Sequence, residues 1–250
     1  MKSSHHVVMI HGLLGSLDYF SPGARLPGLA VYTPDLIGYG MAQSRADLVE
    51  LSLKDQARWV MEYIGKNVPQ PCWLLGHSVG GAVAMILAQV QPQLVVGVIN
   101  VEGNFTLNDA FWSRRIANLP TDVWTGEYEE MVDDPERWLR RSNVDPTPQR
   151  IKWAEEILRN QPPSTVQAMA KAVVKDTGSS EYLQVVRQVV DHGVPMYLLA
   201  GERSKEGWNV PEWVRATAHE YVVQPNAGHM MMLEEPAEFC RIVSEIVRAT

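Results

Sequence analysis

The sequence predicts an α/β fold: a mostly parallel sheet of about six strands flanked by helices, with a helical cap inserted between two strands. Short apolar runs alternate with amphipathic helical patterns over residues 1–103 and 191–250. This alternation is typical of a parallel sheet with helices on both faces. Residues 104–190 instead read as several helices without a clear strand. We therefore expect a core formed by 1–103 and 191–250 and a cap or lid formed by 104–190.

Six short runs of mainly apolar residues are the predicted strands. Each is short, and most are rich in aliphatic or β-branched side chains, as buried strands of a parallel sheet are. The runs are Val7–Ile10, Leu29–Tyr32, Cys72–Leu75, Val96–Val101, Met196–Ala200 and Glu220–Val223.

Three helices are predicted to pack against this sheet. The first starts at Ser52, which has capping-box spacing to Asp55, and continues through "ARWVMEYIGKNV". The second is "VGGAVAMILAQV", which ends before Pro92. The third is opened by Pro236 and carries an apolar face along "FCRIVSEIV".

Composition limits the partners of this protein. The net charge is −7 and there is no basic block, which argues against nucleic acid and anionic membranes. No apolar stretch approaches the roughly 20 residues of a membrane helix, and the apolar run near the start is too short for a signal peptide. Cys72 and Cys240 lack metal or redox spacing, so we expect reduced thiols, a cytoplasmic location and no metal.

The motif that carries chemistry is Gly76-His77-Ser78-Val79-Gly80, a G-x-S-x-G sequence. It lies between a predicted strand and a predicted helix. A sharp strand-to-helix turn of this kind strains the backbone of its central serine and exposes the hydroxyl group at the carboxyl end of the sheet. We therefore expect Ser78 to be a nucleophile.

A serine nucleophile needs a base and donors for the oxyanion. His229 follows the last predicted strand, in the loop before the final helix, and is the expected base. The turn "HGLLGS" follows the first strand, and there we assign the amide of Leu13 to an oxyanion hole. The second donor is the amide of Val79, the residue after the nucleophile.

Four segments, "HGLLGS", "PDLIGYGMAQS", "GHSVGG" and "NAGHMMMLEEP", occur in an order and spacing that resembles the α/β-hydrolase superfamily. The chain is similar to its serine esterase and lipase-like branches with a helical cap. The resemblance implies that Asp35 to Gly40 shape the loop after the second strand and that His11 and His77 are structural. The usual N-terminal hairpin is missing here, so we expect six strands rather than eight.

The acid of the expected catalytic triad departs from the family pattern. The resemblance places an aspartate after the strand that precedes the last one, where this chain has Ser204. Glu202 and Glu206 lie nearby and are alternative acids. Glu102 ends the strand that follows the nucleophile's helix, and some branches of the superfamily take the acid from this position.

We assign the acid to Glu102. A carboxylate at the end of an apolar strand is costly to bury unless it is paired, and His229 is a suitable partner. In the other interpretation, Glu102 caps the first turn of the insert or pairs with an arginine such as Arg114.

The expected function is that of a cofactor-free serine hydrolase that cleaves a carboxylic ester or thioester through an acyl-enzyme on Ser78. A C–C bond hydrolase, a lyase or an acyltransferase could use the same triad. A non-catalytic relative that binds a small ligand is a further alternative. A dehalogenase or epoxide hydrolase is disfavoured, because the resemblance would then require aspartate in place of Ser78.

The substrate is expected to be a small acyl compound. An apolar pocket for an acyl or aromatic group is predicted from Leu14, Trp112, Trp124 and Met230. The tryptophans of the insert could equally serve only to pack it on the sheet. The protein is expected to be a monomer or a homodimer.

Overall fold

The computed structural model describes residues 5–45, 51–69 and 71–249. Within these residues, six parallel strands form one sheet in the order β2-β1-β3-β4-β5-β6. The strands are β1 (His5–Ile10), β2 (Leu29–Tyr32), β3 (Cys72–His77), β4 (Val95–Val101), β5 (Met196–Gly201) and β6 (Glu220–Gln224).

The six predicted strands are confirmed, with bounds that differ by up to two residues. The largest differences are at the start of β1 and at the end of β3. His5 and His6 extend β1 because they pair with Leu29 and Ala30 of β2. Their polar side chains hid this extension in the sequence, although the pairing of backbone groups needs no apolar side chain.

Twelve α-helices occur in the described part of the chain. They are α1 (Pro22–Arg25), α2 (Leu53–Asn67), α3 (Val79–Val90), α4 (Phe111–Asn118), α5 (Thr121–Asp133), α6 (Pro135–Arg141), α7 (Pro148–Arg159), α8 (Pro163–Thr177), α9 (Ser180–Asp191), α10 (Glu212–Thr217), α11 (Met231–Glu234) and α12 (Pro236–Arg248). Short 3₁₀ segments lie at Gly40–Arg45, Pro92–Leu94 and Lys205–Gly207.

The six helices α4–α9 all lie between β4 and β5, and we call them the insert. The segment predicted to be helical, residues 104–190, agrees with this span. Prolines start several of these helices, at a position where a missing N–H costs nothing. The division of the chain into a core domain and a cap domain stays a prediction.

Both faces of the sheet are covered by apolar side chains. Val8 and Ile10 of β1 join a cluster that includes residues of α2, α3 and α8. Val7 and Met9 join a second cluster on the opposite face, which includes residues of α12. Because side chains alternate across a strand and both faces are buried, the strands read as continuous apolar runs.

The parallel arrangement brings the carboxyl ends of all six strands to one edge of the sheet, where ligands of open α/β sheets bind. His77, Val101 and Gly201 end the three neighbouring strands β3, β4 and β5.

Two further expectations concern membrane helices and cysteine chemistry in the described residues. No helix in the described residues is both long and apolar enough to cross a bilayer. Cys72 and Cys240 are free and buried, and burial raises the pKa of each thiol to about 11.

Candidate active site

Ser78 lies in a strained turn between β3 and α3, with φ 53° and ψ −123°. The turn needs a close approach of backbone segments: a Cβ atom on Gly80 would lie 2.2 Å from the carbonyl oxygen of Ile10. A Cβ atom on Gly76 would lie 2.3 Å from the carbonyl oxygen of Gly80. Only glycine fits at these two positions, so the G-x-S-x-G spacing is required by packing.

Glu102 follows β4 and contacts His229. The Nδ1 atom of His229 lies 2.7 Å from Oε2 of Glu102. The other carboxylate oxygen, Oε1, accepts the hydroxyl of Ser204 at 2.5 Å and the amide of Gly201 at 2.8 Å. The Glu102 side chain is 4% exposed and that of His229 is 47% exposed, so a buried carboxylate supports an accessible imidazole.

The surroundings of Glu102 lower its pKa. Burial alone would raise the pKa, but hydrogen bonds from His229, Ser204 and Gly201, together with the charge of His229, lower it by more. The carboxylate is therefore ionised at neutral pH and has defined hydrogen-bond partners. The first turn of the insert and Arg114 are not among these partners. The described hydrogen bonds of Glu102 therefore do not support a role as a helix cap or as a partner of an arginine.

The two alternative acids do not contact His229 in the described structure. Glu202 is exposed, and its Oε2 accepts the backbone amide of Asn226 at 2.9 Å. Glu206 is exposed in the 3₁₀ turn after β5. Of the three candidates, Glu102 is the one that the fold brings to His229.

Several contacts hold the loop that carries His229. The Nε2 atom of His77 lies 2.9 Å from the carbonyl oxygen of His229, and the two rings are 4.7 Å apart between centroids. Oε1 of the buried Glu234 accepts the amide of Gly228 at 2.8 Å, and Glu234 forms an ion pair with Arg203. Since His77 precedes Ser78, these contacts place His229 beside the turn of the nucleophile.

His11 and His77 are neutral in this fold. Burial lowers the pKa of His11 to about 4 and that of His77 to about 3, and the charge of His229 also lowers the latter. The bonds of His11 agree with a neutral ring: Nε2 accepts the amide of Leu36 at 3.1 Å, while Nδ1 donates to the carbonyl of Gly12 at 2.9 Å. Both histidines make contacts of the structural kind that the resemblance implied.

The turn after β1 lies against Ser78. A Cβ atom on Gly12 would be 3.0 Å from Cβ of Ser78. The next residue, Leu13, is buried, and its carbonyl accepts the hydroxyl of Tyr39 at 2.9 Å. In the part of the chain that the structure describes, the amides of Leu13 and Val79 donate to no protein acceptor. Their assignment to an oxyanion hole stays a prediction.

The residues predicted to line a pocket have different surroundings. Leu14, Trp112 and Met230 are partly exposed. Trp124 is 1% exposed, and its indole N–H donates to the carbonyl of Pro163 at 2.8 Å. Trp124 is therefore buried and bonded to another residue of the insert, and its role as a pocket residue stays a prediction. Among the described residues, no group of three or more His, Cys, Asp or Glu side chains could hold a metal ion.

The sequence analysis missed Ser204 as a partner of Glu102 and the Arg203–Glu234 ion pair. The spacing of "GERS" after an apolar strand placed residue 204 at the expected position of the acid, and this was the one available signal. The ion pair of Arg203 and Glu234 joins the turn after β5 to α11, and nothing in the local sequence pattern indicates it.

Comparison with known proteins identifies the family. The model of the alpha/beta hydrolase family matches residues 7–242. The chain belongs to this family. The α/β fold described above agrees with this family.

The sequence identities to individual relatives are low. The chain is 24% identical to 2-succinyl-6-hydroxy-2,4-cyclohexadiene-1-carboxylate synthase of Enterobacter sp. (strain 638), over 97% of this chain and 91% of the relative. It is 32% identical to a pimeloyl-[acyl-carrier protein] methyl ester esterase of Yersinia pseudotuberculosis, over 46% of this chain and 41% of that enzyme. A thermophilic esterase from Thermogutta terrifontis shares the fold with a TM-score of 0.73 at 21% identity, over 98% of this chain and 90% of the esterase.

Proposed function

We propose that this hydrolase-family protein is a serine hydrolase that cleaves a carboxylic ester or thioester through an acyl-enzyme on Ser78. The observation that carries the proposal is the bond from the buried Glu102 to Nδ1 of His229, beside the strained turn of Ser78. The Nδ1–H of His229 donates to the carboxylate, which leaves Nε2 as the proton acceptor.

The first half of the reaction forms the acyl-enzyme. Nε2 of His229 takes the hydroxyl proton of Ser78 while Oγ attacks the substrate carbonyl carbon. The amides of Leu13 and Val79 donate to the oxyanion. When the tetrahedral intermediate collapses, the bond to the leaving alkoxide or thiolate breaks, and His229 returns the proton to that group. Glu102 stabilises the imidazolium in between.

The second half of the reaction returns Ser78 to its free form. A water molecule gives a proton to His229 and attacks the acyl carbonyl, and the same two amides bind the second oxyanion. The intermediate then releases the carboxylic acid, and the proton returns to Oγ of Ser78. No cofactor is needed for either half.

An acyl or aromatic group is the proposed substrate moiety, because the partly exposed Leu14 and Met230 flank the segments that carry Leu13 and His229. The methyl ester esterase relative acts on an acyl-carrier-protein ester, which supports this class of substrate. We keep the cytoplasm as the proposed location, because both cysteines are free, buried and weakly acidic.

A lyase is the second candidate. The relative that matches along nearly the whole chain is named as a synthase of a cyclohexadiene carboxylate. The same three side chains could move protons without forming an acyl-enzyme. The two candidates differ in one observable: a hydrolase forms a covalent acyl intermediate on Ser78, and a lyase does not.

The test combines covalent labelling with turnover. A fluorophosphonate probe should label the wild type, and Ser78→Ala should abolish both the labelling and the hydrolysis of p-nitrophenyl esters and acyl-CoA thioesters. Esters of increasing chain length should be hydrolysed with rising kcat/KM if the pocket is apolar. A wild type that binds ligand but neither reacts with the probe nor hydrolyses any ester would refute the proposal.

A further inference from the structure

Two residues at the end of α7 hold the turn that follows β1. The amide of Gly15 donates to Oε1 of Gln161 at 2.8 Å. The carbonyl of Gly15 accepts Nδ2 of Asn160 at 3.0 Å. Both backbone groups of one residue in the turn that carries Leu13 are therefore bound by side chains of the insert.

The turn also presses directly against α7. Gly15 has φ 85°, and a Cβ atom there would lie 2.8 Å from Cγ2 of Ile157. This conformation and this distance both require glycine. The turn after β1 and the helix α7 of the insert are therefore closely packed.

The orientation of the Gln161 amide is fixed by its other partners. Its Nε2 donates to the carbonyl of Ile157 at 3.0 Å and to the hydroxyl of Tyr128. Because Nε2 needs acceptors, Oε1 is the atom that faces the amide of Gly15. Gln161 is 4% exposed, so replacing it leaves buried groups without partners.

Asn160 connects a second turn to the same point. Its Nδ2 also donates to Oδ1 of Asp35 at 3.1 Å, and its carbonyl accepts the amide of Gly40 at 2.7 Å. These residues belong to the turn after β2, which also carries Tyr39. The hydroxyl of Tyr39 in turn holds the carbonyl of Leu13.

We propose that Asn160 and Gln161 are positioning residues that hold the Leu13 amide in place for the oxyanion formed at Ser78. This inference rests on the proposed function. An oxyanion donor is effective only when it is preorganised, because reorientation during the reaction would consume the stabilisation. In this fold the turn of Leu13 is bound by Tyr39 on one side and by the end of α7 on the other.

The insert offers a matched control. Gln167 of α8 is 3% exposed, and its Nε2 donates to the carbonyls of Ile116 and Leu119. Gln167→Leu removes the same amide as Gln161→Leu, but its partners all lie within the insert. We expect both variants to lose thermal stability by similar amounts, which separates loss of folding from loss of positioning.

The expected kinetic result differs between these variants. Gln161→Leu should lower kcat for a p-nitrophenyl ester by about tenfold, a fraction of the 10²–10³ that loss of a whole oxyanion donor costs. KM should change by less than about twofold, since the donor acts mainly in the transition state. Gln167→Leu should change kcat by less than about twofold. Asn160→Ala, at a less buried site, should show the same kcat effect. It replaces Gln161→Leu as the test if that variant folds poorly.

A sulfur-substituted substrate separates the two roles. A residue that only stabilises the fold should not change the ratio of activity towards the ester and the thionoester. In a thionoester the developing charge lies on sulfur, a weaker acceptor of hydrogen bonds. Gln161→Leu and Asn160→Ala should therefore lose less activity towards the thionoester than towards the matching ester, and Gln167→Leu should leave the ratio unchanged.

Equal kcat losses in Gln161→Leu and Gln167→Leu, or losses that are the same for both substrates, would overturn the positioning role while Ser78-dependent turnover of the wild type remains. If the Ser78→Ala variant keeps the ester turnover of the wild type, the proposed function is overturned, and the positioning role with it.

Discussion

The turns after β4 and β5 lie side by side at the same edge of the sheet but make opposite contributions to the candidate site. The turn after β4 supplies a carboxylate, Glu102. The last residue of β5, Gly201, supplies an amide and the turn after β5 supplies the hydroxyl of Ser204, and both groups donate to Oε1 of that carboxylate. The same turn also supplies Arg203, which binds the loop of His229 through Glu234.

The difference shows that position on the sheet decides which group can reach His229. Neighbouring parallel strands end at one level, so a carboxylate from either turn would lie near the same imidazole. One turn can then carry the charge while its neighbour carries the hydrogen bonds that such a charge needs when buried. Glu102 also has φ 44°, an uncommon conformation for a residue other than glycine.

Exchanging the charge should have the largest effect. Glu102→Gln should keep the fold and lower kcat by about 10³ to 10⁴, because the amide cannot stabilise the imidazolium. Glu202→Gln and Glu206→Gln are matched controls on the neighbouring turn, and each should stay within about twofold of the wild type. Full turnover of Glu102→Gln together with a crippled Glu202→Gln or Glu206→Gln would move the acid to the turn after β5.

Removing the supporting hydroxyl should have a smaller effect. Ser204→Ala should lower kcat by about tenfold, which corresponds to one hydrogen bond to a charged group. The pKa of Glu102 should rise, because one of the bonds that lower it is lost. The loss of kcat that follows protonation of Glu102 should therefore start at a higher pH than in the wild type.

Ser204→Thr is the control for that variant, since it retains a hydroxyl group and should restore most of the activity. If Ser204→Ala and the wild type share the same pH profile, the hydroxyl does not support the charged form of Glu102.

The comparison extends to His11 and His77, near the ends of β1 and β3. Their ring nitrogens bond to backbone groups and not to a carboxylate. The folded protein keeps His11 and His77 neutral with pKa values of about 4 and about 3, below the ordinary value of 6.5. The unfolded chain takes up these protons first. Their contribution to stability is therefore complete above about pH 6.5 and is lost as the pH falls towards their folded values.

Urea unfolding between pH 7 and pH 4.5 measures this effect. Each histidine should reduce the free energy of unfolding by up to about 1.4 kcal/mol per pH unit once the pH is below its unfolded value. His77→Gln should reduce the slope of the free energy of unfolding against pH by the contribution of one histidine. An unchanged slope would mean that His77 accepts a proton in the folded protein as readily as in the unfolded chain.

Much of the fold was readable from the sequence for a physical reason. Strands buried on both faces must be continuously apolar, so β3 and β4 stood out, and a strand followed by G-x-S-x-G requires a tight turn at Ser78. Glu102 could be chosen because a carboxylate at the end of such a strand needs a partner. These signals are local in the chain.

The missed features all depend on contacts between distant segments. Ser204 meets Glu102 across 102 residues of chain, and Gln161 meets Gly15 across 146 residues. Serine, asparagine and glutamine are common on surfaces, so nothing in their neighbours predicts burial or a partner.

The most direct test of the proposed chemistry is to trap the covalent intermediate. The wild type is mixed with a p-nitrophenyl ester, quenched with acid during steady turnover, digested and mapped by mass spectrometry. The acyl group should appear on the peptide that contains Ser78, and Glu102→Gln should form the same adduct far more slowly. An enzyme that turns over the ester while Ser78 stays unmodified, or that carries the acyl group on another residue, would contradict the proposed role of Ser78.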